Sequence, residues 1–143
     1  MHKVYQTETE PGTGNCMSAC IASLLGFKIE EVPNFRTNTK SGLEFLEAIQ
    51  IFLAEFELYM LVVRLDTEEI SHYPIPDGAL CIAGGDSPNH SNIKHAIVGR
   101  MKNNNFELLH DPNPNSNGFK NYSDIRTLHF IVDFNVSERL NGI

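Results

Sequence analysis

Basic residues are scarce in this chain, its cysteines do not come in pairs, and it has no apolar run long enough to cross a bilayer. Eleven Lys and Arg against 18 Asp and Glu leave a formal net charge of −7. That balance argues against a nucleic-acid polymer or an anionic membrane surface as partner, although a local cluster could still hold a small anion. The three cysteines, Cys16, Cys20 and Cys81, are an odd number and suggest reduced thiols in a cytosolic setting. The first residues, Met-His-Lys-Val-Tyr-Gln-Thr-Glu, lack the basic-then-apolar pattern of a signal peptide, and no apolar run approaches ~18 residues. A cytoplasmic location with no membrane partner is the expectation. Repeats, low-complexity tracts and linkers are likewise missing.

What is present reads as one domain over residues 1–143. Hydrophobic residues make up 41% and charged residues 20%, so the chain is globular and long enough for a core without disulfides. Val4 to Gln6 reads as a short strand or extended lead-in, followed by a polar turn over 10–14. CMSACIASLL, residues 16–25, is helical in composition, with Gly26 as a stop and Asn15 as a candidate N-cap. Small residues at Ala19, Ala22 and Ser23 would let this helix lie close to a sheet. Leu43, Leu46, Ile49 or Gln50, and Leu53 recur at helical spacing and predict a second amphipathic helix over about 41–55. Strand candidates then follow at 58–65, 79–83, 96–101, 106–110 and 128–134. Two helices followed by mostly antiparallel strands predict an α+β domain.

Chemistry concentrates in two places. Gly14-Asn15-Cys16 opens the first helix, where unpaired N–H groups and the positive dipole end favour a thiolate. His95 and Asp111 flank two apolar runs separated by Lys102-Asn103-Asn104-Asn105, a tract with turn chemistry because Asn tolerates positive φ. A hairpin symmetric about Asn103 would set His95 directly opposite Asp111, with Cβ atoms roughly 4.5–5.5 Å apart on one face. A one-residue slip would send them to opposite faces. Nucleophile, base and orienting acid thus occur in the order a cysteine hydrolase uses.

Each residue also has a plainer use. Cysteine in a small-residue helix is commonly a packing residue, and Asp111-Pro112 followed by Asn113-Pro114 is a turn signature. Cys20 lies one turn further into the helix and Cys81 within an apolar run, so neither has the features of Cys16. A metal could compete for the same atoms, since Cys16-x₃-Cys20 has an admissible spacing and His90, His95 and His110 are nitrogen donors. No second close pair accompanies it, so neither a metal nor a cofactor is expected. The polar stretch 84–92 leads into His95 and is a candidate substrate rim, with Ser87 and Asn92 as contacts. Lys94 and Arg100 are the nearest cations, but strand alternation places them on the face away from His95.

The blocks GNCMSACIASLLG, KHAIVGR and LLHDPNP resemble the Cys, His and Asp blocks of papain-like cysteine hydrolases. The resemblance is to the compact bacteriocin-leader peptidase-like branch, and the chain is also similar to small phage and prophage proteins bearing GNC, Ser-Pro and HDP blocks. It implies a papain-like fold with an N-terminal helix packed on a mostly antiparallel sheet. It also implies Cys16 as nucleophile, His95 as general base and acid, and Asp111 as the residue orienting the imidazole. Such enzymes place a Gln shortly before the Cys to donate to the oxyanion. Here Glu10 stands six residues upstream and would accept rather than donate. Gln6 is the substitute if the Pro11-Gly12-Thr13-Gly14 turn acts as an insertion, with the Cys16 backbone N–H as second donor; Asn15 and Lys94, adjacent in sequence to Cys16 and His95, are further candidate substrate contacts.

The expectation is a cysteine hydrolase acting on a peptide or amide. One competitor is a phage-type cytosolic protein that binds or cleaves a small nucleotide host-defence signal at the 87–92 loop. Another is a degenerate fold kept for partner binding, which apolar exposure around Phe35, Phe119 and Tyr122 would support.

Overall fold

The computed structural model describes residues 1–10, 12–65, 74–87 and 94–136. Among these residues two α-helices and five strands follow one another as α1 (Cys16–Leu25), α2 (Gly42–Ala54), β1 (Leu58–Arg64), β2 (Leu80–Asp86), β3 (Lys94–Lys102), β4 (Asn105–His110) and β5 (Ile125–Asp133). The strands form one sheet in the order β1-β5-β2-β3-β4, and every neighbouring pair is antiparallel. The chain is therefore α+β. Among the described residues no helix is long and apolar enough to cross a membrane.

α1 spans the residues its composition predicts and stops where Gly26 turns left-handed (φ 76°). The Phe27 N–H then closes back on the Ala22 carbonyl at 2.9 Å, which satisfies an otherwise orphaned helix-end acceptor. Ala19, Cys20, Ile21 and Ala22 are fully buried. With Ala96 and Val98 of β3 and Ile82 of β2, they form the helix-side core. Small side chains bring the helix backbone close to the sheet. Val4 to Gln6 is extended but not a strand. Its Val4 N–H donates to Ser23 Oγ at 3.0 Å, and the Gln6 N–H donates to the Pro112 carbonyl at 2.9 Å.

Ser41 caps α2, its Oγ accepting the Glu44 N–H at 3.1 Å. The buried stripe of this helix is Ile49 and Leu53. Leu43, expected inside, is 68% exposed. Phe45 and Phe52 turn inward beside them and meet Phe35 edge-on at 6.3 and 5.8 Å. Phe35 is 4% exposed, so it belongs to this aromatic cluster and not to an open patch.

The opposite sheet face holds a second core of Cys81, Ala83, Ile97, Met101, Phe106 and Leu128. Because alternate residues of β2 and β3 feed the two cores, both strands are apolar almost throughout. The β3–β4 connection differs from the symmetric loop expected. Asn103 and Asn104 alone make the turn, both at positive φ (51° and 62°), the requirement of a two-residue type I′ hairpin. Arg100 therefore faces Glu107 rather than Phe106. Carried on unchanged, that register would put Asp111 and His95 on opposite faces. A bulge intervenes between Val98 and Gly99, where β4 advances from Leu108 opposite Gly99 to His110 opposite Val98. The extra residue, Leu109, restores the parity.

Candidate active site

β4 ends at His110, opposite Val98. Among the described residues, the first four of β3, 94–97, thus have no strand on that flank, and Asp111, just past β4, reaches His95 there. Asp111 lies there, 8% exposed, with Oδ1 2.8 Å from His95 Nε2. Two backbone donors fix the carboxylate. Asn113 N–H reaches Oδ1 at 2.9 Å and Gly118 N–H reaches Oδ2 at 2.7 Å. Gly118 adopts φ +80°, a conformation costly for any residue with a Cβ.

His95 is itself buried, 7% exposed, and Cys16 is near enough for its interaction to raise the proton affinity of the imidazole. Since Asp111 takes Nε2, the nitrogen left for the thiol is Nδ1. Burial pulls the imidazole pKa down, but the hydrogen bonds to Asp111 and Cys16 and their negative charges outweigh it, leaving the pKa raised to about 9. Burial likewise pushes the Asp111 carboxyl up. The hydrogen bond and charge of His95, with the Gly118 and Asn113 N–H groups, overcome it and hold the pKa below the usual carboxylate value. Cys16 stands half-buried at the first position of α1, where its own N–H has no intrahelical acceptor. The three residues singled out by order along the chain meet in one place.

The other thiols are in the core. Cys20 is fully buried and its pKa is raised by that burial and by the nearby charges of Cys16 and Asp111. Burial pushes Cys81 up to about 12.

The remaining candidates are placed differently. Asn15 does not cap α1 with its side chain. Its Oδ1 accepts the N–H groups of Thr7 and Glu8 at 3.0 and 2.9 Å, and its Nδ2 donates to Thr7 Oγ1 at 3.0 Å. That amide pins the N-terminal segment and is committed to the fold. Gln6 donates from Nε2 to the Glu8 carbonyl at 3.0 Å, while its Oε1 is buried without a partner among the described residues. The Glu8 oxygen dictates this orientation, since the flipped amide would set two acceptors face to face. Lys94 is exposed and paired with Asp86 at 2.6 Å. Its hydrogen bond and charge lower the Asp86 pKa, and Arg126 adds to the effect. Ser87 sits half-buried one residue past β2, whereas His90, Asn92 and the Tyr122 side chain lie outside the described residues.

Of the atoms a metal would use, His110 Nε2 is bonded to the Val4 carbonyl at 2.6 Å, and Cys20 is enclosed in the core. Among the described residues no three His, Cys, Asp or Glu gather as a metal-binding set. Sequence reasoning passed over Gly118, gave Asn113 only a turn role although its backbone N–H holds Asp111, and assigned Phe119 to an exposed apolar patch although it is half-buried with its ring beside His95. The only sequence trace of Gly118 is a glycine in a polar loop. Comparison with known proteins finds no matching family model, no matching curated protein and no matching solved structure.

Proposed function

We propose that the protein is a papain-like cysteine hydrolase that cleaves a peptide or amide bond through Cys16. The observation that carries this reading is a buried imidazole bonded by Nε2 to Asp111 at 2.8 Å, with its proton affinity raised by Asp111 and by Cys16 at the start of a helix. A His with raised proton affinity accepts the thiol proton, and Asp111 holds the ring and stabilises the imidazolium that forms. Cys16 Sγ then attacks the substrate carbonyl carbon. The C–N bond breaks, and the amine departs with the proton held on Nδ1. His95 next deprotonates a water that attacks the thioester, releasing a carboxylic acid and returning the thiol. The Cys16 N–H, at a helix position with no intrahelical acceptor, and the second N–H of the Gln6 amide are the oxyanion donors this reading assigns.

The decisive test is alkylation by iodoacetamide between pH 5 and 10, read by peptide mass spectrometry. Cys16 should react faster than free glutathione at pH 6–7, and His95→Ala should slow it tenfold or more. Cys16 reacting no faster than glutathione, with no change in His95→Ala, would remove the reading. Hydrolysis of a peptide-amide library should likewise be lost in Cys16→Ser protein.

A further inference from the structure

A cavity of about 260 Å³ is lined by the N-terminal segment, the end of β4 and the loop that follows it. The N-terminal wall is held from both sides. Val4 is buried and gives its N–H to Ser23 Oγ at 3.0 Å, while its carbonyl accepts the His110 Nε2–H at 2.6 Å. Side chains alternate along an extended chain, so Lys3 and Tyr5 turn away from the core, and both line the cavity. The Tyr5 ring rests edge-on against His110, with centroids 4.8 Å apart. Leu108 and Leu109 of β4 and Asn113 and Asn117 of the loop contribute to the same lining.

The uncommitted polar groups here can all donate. Among the described residues Lys3 pairs with no carboxylate. Asn113 Oδ1 accepts the Asn115 N–H at 2.9 Å, which leaves the Nδ2 of that amide as a donor. The Tyr5 hydroxyl and the Asn117 amide bond to no other described residue, and each carries a donor. Asp111 also borders the cavity, but His95, Asn113 and Gly118 already occupy its two oxygens. Its charge is met by the His95 imidazole, which a pKa of about 9 keeps protonated at neutral pH. A cluster of donors around an unpaired ammonium, in a chain of net charge −7, calls for an anion. The volume falls below the roughly 300–1,000 Å³ of drug-sized sites, so the anion is small.

We propose that this cavity binds an α-carboxylate carried on one short apolar residue. Lys3 and the Asn113 and Asn117 amides take the carboxylate, and Leu108 and Leu109 pack against the side chain. Hydrogen bonds from these donors to an ionised oxygen are of the strong, charge-assisted kind. The carboxylate belongs to a free amino acid or to the last residue of a peptide. Binding makes no use of Cys16 and so goes beyond the hydrolase reading. It is nonetheless linked to the buried pair, because the loop that meets the ligand through Asn113 and Asn117 also gives Asp111 the N–H groups of Asn113 and Gly118.

The experiment is an amide NMR titration of the native protein with N-acetyl-leucine, leucine, N-acetyl-leucinamide and inorganic phosphate. N-acetyl-leucine should move the Asn113, Asn117 and Gly118 resonances saturably at millimolar concentration or below. N-acetyl-leucinamide, which lacks the carboxylate, should not. Leucine binding as well or better assigns the site to a free amino acid, and weaker binding of leucine assigns it to a peptide end. Lys3→Met, at an exposed position, should weaken binding at least threefold. No saturable shift with either carboxylate up to tens of millimolar overturns the proposal. So does equal binding of the amide or of phosphate, or an unchanged affinity in Lys3→Met. Carboxylate binding beside an unreactive native Cys16 would remove the hydrolase reading and leave this site standing.

Discussion

Asp111 is an acceptor three times over: Oδ1 meets His95 Nε2 at 2.8 Å and the Asn113 N–H at 2.9 Å, while Oδ2 takes the Gly118 N–H at 2.7 Å. All three contacts require an acceptor, so an amide cannot replace the carboxylate. In Asp111→Asn, one orientation sets the NH₂ against Gly118 and the other sets it against His95 and Asn113. The substitution should lower the His95 pKa from about 9 to near or below its ordinary value of ~6.5. Any hydrolytic turnover should fall roughly 10²–10⁴-fold. An imidazole NMR titration checks the first effect. A titration still centred near the native value would show that Asp111 is not the cause of the shift.

Two histidines act on stability at opposite ends of the pH scale. The raised pKa of His95, about 9, means the folded state holds its proton more tightly than the unfolded chain. That stabilisation is complete below ~6.5 and is lost as pH rises through 9. His129 does the reverse. It is 7% exposed and burial lowers its pKa to about 4, so the unfolded chain takes up a proton first. The folded state should lose about 3 kcal/mol as pH falls from 6.5 to 4. Urea titrations across pH 4–7 should show this acid loss in the native protein. His129→Leu, which has no proton to gain, should flatten the curve over that window.

β1 is an edge strand, and its exposed middle is covered by a side chain. Gln50 Nε2 donates to the Met60 carbonyl at 2.8 Å, while Gln50 Oε1 accepts the Met60 N–H at 2.9 Å. The α2 carboxamide thus stands in for one residue of a neighbouring strand, an obstacle to edge-to-edge association. Gln50→Ala should cost about 1–2 kcal/mol by denaturant unfolding. It should also promote concentration-dependent self-association, visible by light scattering. A variant as monodisperse as the native protein, with unaltered stability, would leave Gln50 no protective role.

The elements were legible where local chemistry decides them. Small residues and Gly26 delimit α1, and alternating or unbroken apolar runs locate all five strands. Strand order was not legible, because β5 pairs with β1 and β2 through contacts that no local pattern encodes. Cys16, His95 and Asp111 could be read from their order along the chain, yet the geometry offered for them was wrong. The Asn103-Asn104 turn shifts the hairpin by one residue, and the bulge at Leu109 shifts it again. Those two departures cancel in parity. Adjacency to Cys16 and His95 in sequence suggests Asn15 and Lys94 as substrate contacts. Their side chains are instead held by Thr7 and Glu8 in one case and by Asp86 in the other.

The bulge also makes the site depend on a glycine that touches none of its reacting atoms. A Cβ on Gly99 would lie 2.2 Å from the Glu107 carbonyl oxygen and 2.3 Å from Phe106 Cζ. The ring could turn aside, but the carbonyl belongs to the β3–β4 ladder and cannot move without breaking it. Gly99→Ala should therefore cost about 3 kcal/mol or more. It should also disturb the register that brings Asp111 round to the face of His95. The companion change is Gly42→Ala at the start of α2, where a Cβ meets nothing within 4 Å and helix propensity favours alanine. That variant should be neutral or slightly stabilising. Denaturant unfolding gives the two stabilities, and the His95 titration reports the site. If Gly99→Ala unfolds like the native protein and His95 still titrates near 9, the bulge is not what aligns the pair.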